Sequence, residues 1–174
     1  IWSDDTHMTL YIADALAQMP SSFTEDEFGV LLGTYMSLWF EDPLTASTNP
    51  GNTTLAGIRN FKEIQDWRDS GVRSSDGCGA LVRSAPLAMR YDAEILDRAS
   101  EINSLLTHAH PNSIAACVAF SRLLRIALEL STITIEHIEE VAQFISSQYP
   151  DATDVPLALY TAVEHRTHSS KWLL

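Results

Sequence analysis

The sequence predicts an all-α protein, a compact multi-helix bundle, on three observations. Apolar residues recur at three- and four-residue spacing through most of the chain, helix-start residues precede those runs, and there are neither paired alternating runs nor an Asn-Gly hairpin to support strands. With 174 residues and 45% hydrophobic content, one packed domain spanning 1–174 is expected.

The first helix opens at "SDDT". Ser3, Asp4 or Asp5 can cap it, and carboxylates in a first turn are stabilised by the helix dipole. Met8, Tyr11, Ile12, Ala15, Leu16 and Met19 form its apolar side, and Pro20 ends it. Thr24 followed by Glu27 is a capping-box signature that opens a second helix carrying Phe28, Leu32, Tyr35, Met36 and Trp39. After the turn-rich "EDPLTASTNPGNTT", in which Thr53 or Thr54 can cap, Leu55, Ile58, Phe61 and Ile64 mark a third helix running on towards Trp67.

"RDSGVRSSDGCGA" reads as a loop, and "LVRSAPLAMRY" as a short buried helix bent or broken near Pro86. Asp92 is placed to cap a helix bearing Ile95, Leu96, Ala99, Ile102 and Leu106. "THAHPN" interrupts before an apolar helix from about 111 to 130. Thr134 starts the next one, and a last helix carries Leu157, Tyr160 and Val163 as its apolar side. His7, His137, His165 and His168 read as surface or helix-face residues. No internal repeat or low-complexity tract is present.

The charge balance is 11 basic against 23 acidic residues, a net of −12, which excludes the basic footprint that nucleic acid requires and favours capture of cations. Cys78 and Cys117 match no disulfide or CxxC pattern, so a reducing, cytoplasmic compartment is expected. No apolar run approaches the roughly 20 residues of a membrane span, and the start does not resemble a signal peptide. A monomer is expected.

Four stretches could carry chemistry. In "SDDT", Asp4 and Asp5 together with the Ser3 hydroxyl offer oxygen ligands suited to Mg²⁺ or Ca²⁺, although on spacing alone a helix cap is favoured. In "SDGCGALVRSAP", Gly77 and Gly79 allow a phosphate or ribose to approach the main chain, and Arg83 is either a cation for a pyrophosphate or an internal salt-bridge partner. In "LTHAHPN", His108 and His110 lack the further ligands of a zinc site, which leaves hydrogen bonding to a ligand or capping of the following helix. "TNPGNTT" is a turn whose chemistry alone says no more.

In this order along the chain, the stretches resemble the ADP-ribosylglycohydrolase family. "SDDTHMTL" is similar to its Thr/Ser-Asp-Asp-Thr-x-Met helix start, and "NPGNTT" to its Pro-Gly-x-Thr loop. "SDGCGALVRSAPLAMRY" is similar to its Gly-Asn/Cys-Gly-x-x-x-Arg-x-x-Pro segment, and "LTHAHPNSIAAC" to its Thr-His-x-x-x-x-x-Ala segment. The resemblance implies an all-α fold and a centre of two Mg²⁺ ions at the bottom of a cleft that binds ADP-ribose. It makes Ser3, Asp4 and Asp5 the metal ligands, with Asp4 and Asp5 also catalytic. It places Ser75, Gly77, Cys78 and Gly79 along the diphosphate and ribose, and His108 in the cleft wall. The implied partner is an ADP-ribosylated protein or a small molecule containing ADP-ribose, and the implied reaction is hydrolysis of the glycosidic bond to the modified side chain. The family also uses an upstream Gly-Asp-x-x-Gly segment and a downstream Gly-Asp-x-Asp-Thr segment, neither of which occurs here; Asp151 and Asp154 do not match the latter. An internal fragment is therefore expected, binding metal poorly and turning over little by itself. The alternative within the family is a non-catalytic ADP-ribose-binding or crystallin-like structural relative. Outside it, the alternative is a helical interaction module in which "SDDT" only caps a helix.

Overall fold

Residues 3–20 and 23–168 are described by the structure, a computed structural model. The outer ends of the expected 1–174 domain and the side chain of His168 lie outside them.

Local signals set most of the helix starts. In α1 (Asp4–Gln18) the N-cap is Ser3, whose Oγ accepts from the Thr6 amide at 3.3 Å, while Asp4 and Asp5 fill the first turn. α2 (Glu25–Glu41) begins with the expected box: the Glu27 amide donates to Thr24 Oγ1 at 3.2 Å, and the Thr24 amide donates to Glu27 Oε2 at 2.7 Å. α3 (Asn52–Ile64) departs from expectation at both ends. Its N-cap is Gly51, so Thr53 and Thr54 lie inside the first turn rather than capping it. Gln65 adopts φ 56°, a left-handed residue that closes the helix before Trp67.

The segment before Pro86 breaks as a 3₁₀ turn, Leu81–Arg83, followed by α4 (Ala85–Arg90). Pro86 sits in the first turn of α4, where a missing N–H costs no helical bond. Asp92 precedes α5 (Ala93–Leu105) without a side-chain cap bond, because its Oδ1 accepts from Arg125 Nη2 at 2.9 Å instead. α6 (Pro111–Leu130) is capped by His110, whose Nδ1 accepts from the Asn112 amide at 3.2 Å. Thr134 and His137 form the box that opens α7 (Ile135–Gln148), and α8 (Asp154–His168) follows.

One expectation about faces is narrowed and one is corrected. Of the two readings of His7, surface or helix face, the surface one is excluded: it lies on the buried face of α1, with Nε2 3.3 Å from Asp42 Oδ2 and its ring edge-on to Tyr11. On α8, Leu157 is 64% exposed and Tyr160 is exposed as well, while Val155 and Leu159 pack inward with α6 and α7. Apolar residues occur on both sides of that short helix, so spacing alone does not identify the side its neighbours cover.

The core has two parts. The larger is built from α1 to α5 around Ile12, Leu32, Met36, Trp39, Ile58, Phe61, Trp67 and Leu106; the smaller joins α6, α7 and α8 through Ala115, Val118, Val141 and Ile145. Close packing in the larger part depends on glycines of α2. A Cβ at Gly29 would overlap atoms of the Trp67 ring, and one at Gly33 atoms of the Phe61 ring. α5 lies along α6, tied by a hydrogen bond from Ser100 Oγ to Ser121 Oγ at 2.9 Å and by a two-pronged Arg122–Asp97 pair. No helix among the described residues is long and apolar enough to cross a membrane.

Candidate functional site

Three segments distant in sequence meet at one point. The first is the opening turn of α3: Thr53 Oγ1 and Ser75 Oγ share a hydrogen bond at 2.9 Å. The second is the glycine-rich loop itself. An added Cβ at Gly79 would stand 2.7 Å from Thr54 Oγ1 and 3.0 Å from His108 Cε1, and one at Gly77 would stand 3.5 Å from His108 Nε2. Glycine at 79 is therefore required by close approach, since a side chain there would displace Thr54 or the imidazole. The third is the Thr107–Ala109 segment. An isolated parallel bridge pairs Val72 with His108: the Val72 amide donates to Thr107 O at 3.0 Å and the Ala109 amide to Val72 O at 3.1 Å. Gly57 brings α3 so near this segment that a Cβ on it would lie 2.5 Å from Thr107 Cα.

Both the main chain and the ring of His108 are held by hydrogen bonds. Its amide donates to Ser104 O at 2.7 Å, its carbonyl accepts from Ser104 Oγ at 2.8 Å, and its Nδ1 is 2.8 Å from Thr107 Oγ1. Burial, and secondarily the charge of Arg83, push its pKa down to about 4, so the ring is neutral at physiological pH. Arg83 lies beneath, fully buried. Its Nε donates to Asn103 Oδ1 at 2.8 Å, Nη1 to Gly79 O at 3.0 Å, and Nη2 to Asn103 O at 2.7 Å and to Thr107 Oγ1 at 2.8 Å. These acceptors are carbonyls, an amide and a hydroxyl, none of them a carboxylate. Arg83 thus does structural work: it is shielded from any ligand, and among the described residues it forms no salt bridge. Burial, opposed only in part by Cys117, pushes its pKa down to about 10, which still leaves it a cation.

The third sequence-predicted group, Ser3, Asp4 and Asp5, stands at the start of α1. That helix meets the 3₁₀ turn after the loop, where Thr9 Oγ1 reaches Val82 O at 3.3 Å. The Asp5 carboxyl has its pKa raised by partial burial and by the adjacent Asp4 charge. Two like charges held side by side, with a hydroxyl next to them, form an all-oxygen donor set of the kind that hard divalent cations take. The set is partial: among the described residues no group of three or more His, Cys, Asp or Glu could hold a metal ion. The structure thus joins Ser75, Gly77, Gly79 and His108, and places the carboxylate pair at the start of the helix that packs on the turn following the loop.

The sequence profile of ADP-ribosylglycohydrolases matches residues 1–171. The chain belongs to the ADP-ribosylglycohydrolase family. It is also similar to an uncharacterized protein of Archaeoglobus fulgidus, with 28% identity over 124 residues, covering 68% of this chain and 37% of the relative. The chain thus spans little more than a third of the length of that relative. The all-α architecture expected from the sequence is the one the structure has.

Next to the ADP-ribosylglycohydrolase glycine loop, a cavity of about 410 Å³ opens between α6 and α8, lined by Asp76, Leu81, Asn112, Phe120, Asp154 and Leu159. Its volume lies within the roughly 300–1,000 Å³ of small-molecule sites. Asp154, which matches no family motif, accepts from Asn112 Nδ2 at 2.8 Å here. Cys78 is exposed on the loop, and Cys117 is buried; both are free thiols. Sequence reasoning missed Thr54, Asn103 and Thr107 as parts of the site. Thr107 had a signal, since it precedes His108 within the quoted "THAH" motif; Asn103 had none, because one buried amide in an apolar helix looks like any other helical residue.

Proposed function

We propose that the chain forms the ADP-ribose-binding part of an enzyme that hydrolyses the glycosidic bond between ADP-ribose and a modified protein side chain or small molecule. The observation that carries this reading is the meeting of the α3 start, the Ser75–Gly79 loop and His108, together with membership of the family. Gly77 and Gly79 let a diphosphate or ribose lie against the main chain, with Ser75, Cys78 and His108 along it. The Ser75 and Thr53 hydroxyls can turn to donate to ligand oxygens.

Ser3, Asp4 and Asp5 would hold Mg²⁺, two ions with ligands from elsewhere, as the oxygen donor set supports. When bound, the cations supply polarisation of ribose hydroxyls and of a water. In the reaction, the bond from the ribose anomeric carbon to the acceptor atom breaks as water oxygen bonds to that carbon. Charge grows on the ribose ring meanwhile, and a carboxylate of the Asp4–Asp5 pair is placed to take the water's proton. A monomeric, cytoplasmic protein is part of the same proposal, supported by its free thiols.

The test is a hydrolysis panel of ADP-ribosylated arginine, ADP-ribosylated serine and ADP-ribose-bearing small molecules, run on the full-length gene product with and without Mg²⁺. Release of ADP-ribose from at least one acceptor, lost on chelation and in Asp4→Asn and Asp5→Asn, is expected. Tight ADP-ribose binding with no turnover on any acceptor would contradict the hydrolase reading and leave a binding or structural relative.

A further inference from the structure

We propose that Arg83 and Thr107 are positioning residues that lock His108 as the neutral Nε2–H tautomer, a fixed uncharged hydrogen-bond donor to a ligand oxygen at the Gly77–Gly79 loop. The proposal deepens the ADP-ribose reading and rests on it for the identity of the ligand. The tautomer, however, follows from this chain's own hydrogen bonds.

A guanidinium only donates, so where Arg83 Nη2 meets Thr107 Oγ1 at 2.8 Å the hydroxyl must accept. A hydroxyl has one proton, and the other contact of Thr107 Oγ1 is His108 Nδ1, also at 2.8 Å. Thr107 is fully buried. If Nδ1 carried the hydrogen, the hydroxyl would receive two donors and its own proton would be stranded in a buried, cation-bearing site. Such a stranded proton costs more than one hydrogen bond gains. Donation from Thr107 to Nδ1 satisfies every group, and it leaves the ring hydrogen on Nε2.

The rest of the geometry turns that assignment into a function. The Cε1–Nε2 edge faces Gly77 and Gly79, where added Cβ atoms would come within 3.5 Å of it. Bonds of its main chain to Ser104 and the bridge to Val72 fix the backbone of His108, and the Nδ1 contact with Thr107 Oγ1 holds the ring on it. Arg83 Nη1 holds the same loop by Gly79 O, so one cation sets both the carbonyl of the loop and the tautomer of the ring beside it. The four acceptors of this buried arginine are all neutral: two atoms of Asn103 on α5, the Gly79 carbonyl of the loop, and the Thr107 hydroxyl beside the histidine. A neutral donor also avoids placing a second buried cation beside the first.

The experiment is a measurement of the His108 ring ¹⁵N shifts in the chain at neutral pH, together with ADP-ribose affinity of wild type, Thr107→Val, Thr107→Ser and His108→Gln. In wild type, Nε2 is expected to show the shift of a protonated ring nitrogen and Nδ1 that of a bare one, with no ligand present. Thr107→Val should mix the tautomers and weaken ADP-ribose binding about tenfold, the worth of one hydrogen bond to a polar ligand. Thr107→Ser should restore both. His108→Gln, whose side-chain N–H₂ sits where Nε2–H was, should stay within a few-fold of wild type. A wild-type ring found as Nδ1–H or doubly protonated would overturn the proposal, and that reading needs no variant to fold. Unchanged affinity in Thr107→Val despite mixed tautomers would overturn the positioning role. If the tautomer is as assigned and ADP-ribose does not bind even to wild type, the donor relay stands and the ADP-ribose reading falls.

Discussion

His108 carries a stability cost at the place proposed to bind ligand. Its folded pKa is about 4, against 6.5 for the free side chain, so between these values the unfolded chain holds a proton that the folded chain does not. Stability from this group is therefore complete above about pH 6.5 and is lost as pH falls towards 4, by at most about 3 kcal/mol. Urea unfolding of wild type and His108→Gln at pH 7.5 and pH 5 should show a smaller acid loss in the variant; equal losses would place the acid sensitivity elsewhere. Asp5 carries the opposite sign. A carboxyl whose pKa is raised on folding destabilises the fold when ionised, so Asp5→Asn should leave thermal stability unchanged or higher at pH 7. Ser3→Ala, by contrast, removes the observed cap and should cost about 1 kcal/mol, read by the same melts. Of the letters "SDDT", the structure thus assigns the cap to Ser3, with Asp4 and Asp5 in the turn that follows it.

At the scale of elements, α3 connects the core to the site. Its outer turn supplies Thr53 and Thr54, and Gly57 one turn later lets it rest on Thr107. Gly57→Ala would push backbone against backbone, because Thr107 Cα is 2.5 Å and Leu106 O 3.0 Å from the added Cβ. Gly33→Ala, in α2, would press on the Phe61 ring instead, remote from the loop. Both should lose about 1–3 kcal/mol of unfolding free energy. ADP-ribose affinity should fall in Gly57→Ala and survive in folded Gly33→Ala, as measured by calorimetry. The reverse pattern would detach α3 from the site. Helix starts were legible in the sequence wherever a cap and an apolar repeat coincided, as at Ser3, Thr24 and Thr134. The end of α3 was not, because Gln65 takes a left-handed conformation that no residue preference announces. The buried side of α8 was not either, since its partners α6 and α7 choose it.

At the scale of the whole molecule, the order of four short motifs carried the family, and the fold explains why that order matters. "NPGNTT", "SDGCG" and "THAH" lie apart in the chain, and the α3 packing and the Val72–His108 bridge bring them to one place. The motif residues of the loop and His108 were readable in advance. The manner of their assembly was not: a structural role for Arg83 could be read beside a ligand contact, but not which groups hold it, since Asn103 and Thr107 come from a helix and a turn twenty or more residues away. Long-range hydrogen bonds of this kind leave no local pattern in a sequence. The central claim is that these three segments form an ADP-ribose site, and an amide ¹H–¹⁵N titration of the chain with ADP-ribose tests it most directly. The largest shifts should fall on Thr53, Thr54, Ser75, Gly77, Gly79 and His108. Shifts confined to a remote surface such as the cavity beside Phe23 and Arg98, or none at millimolar ADP-ribose, would contradict it.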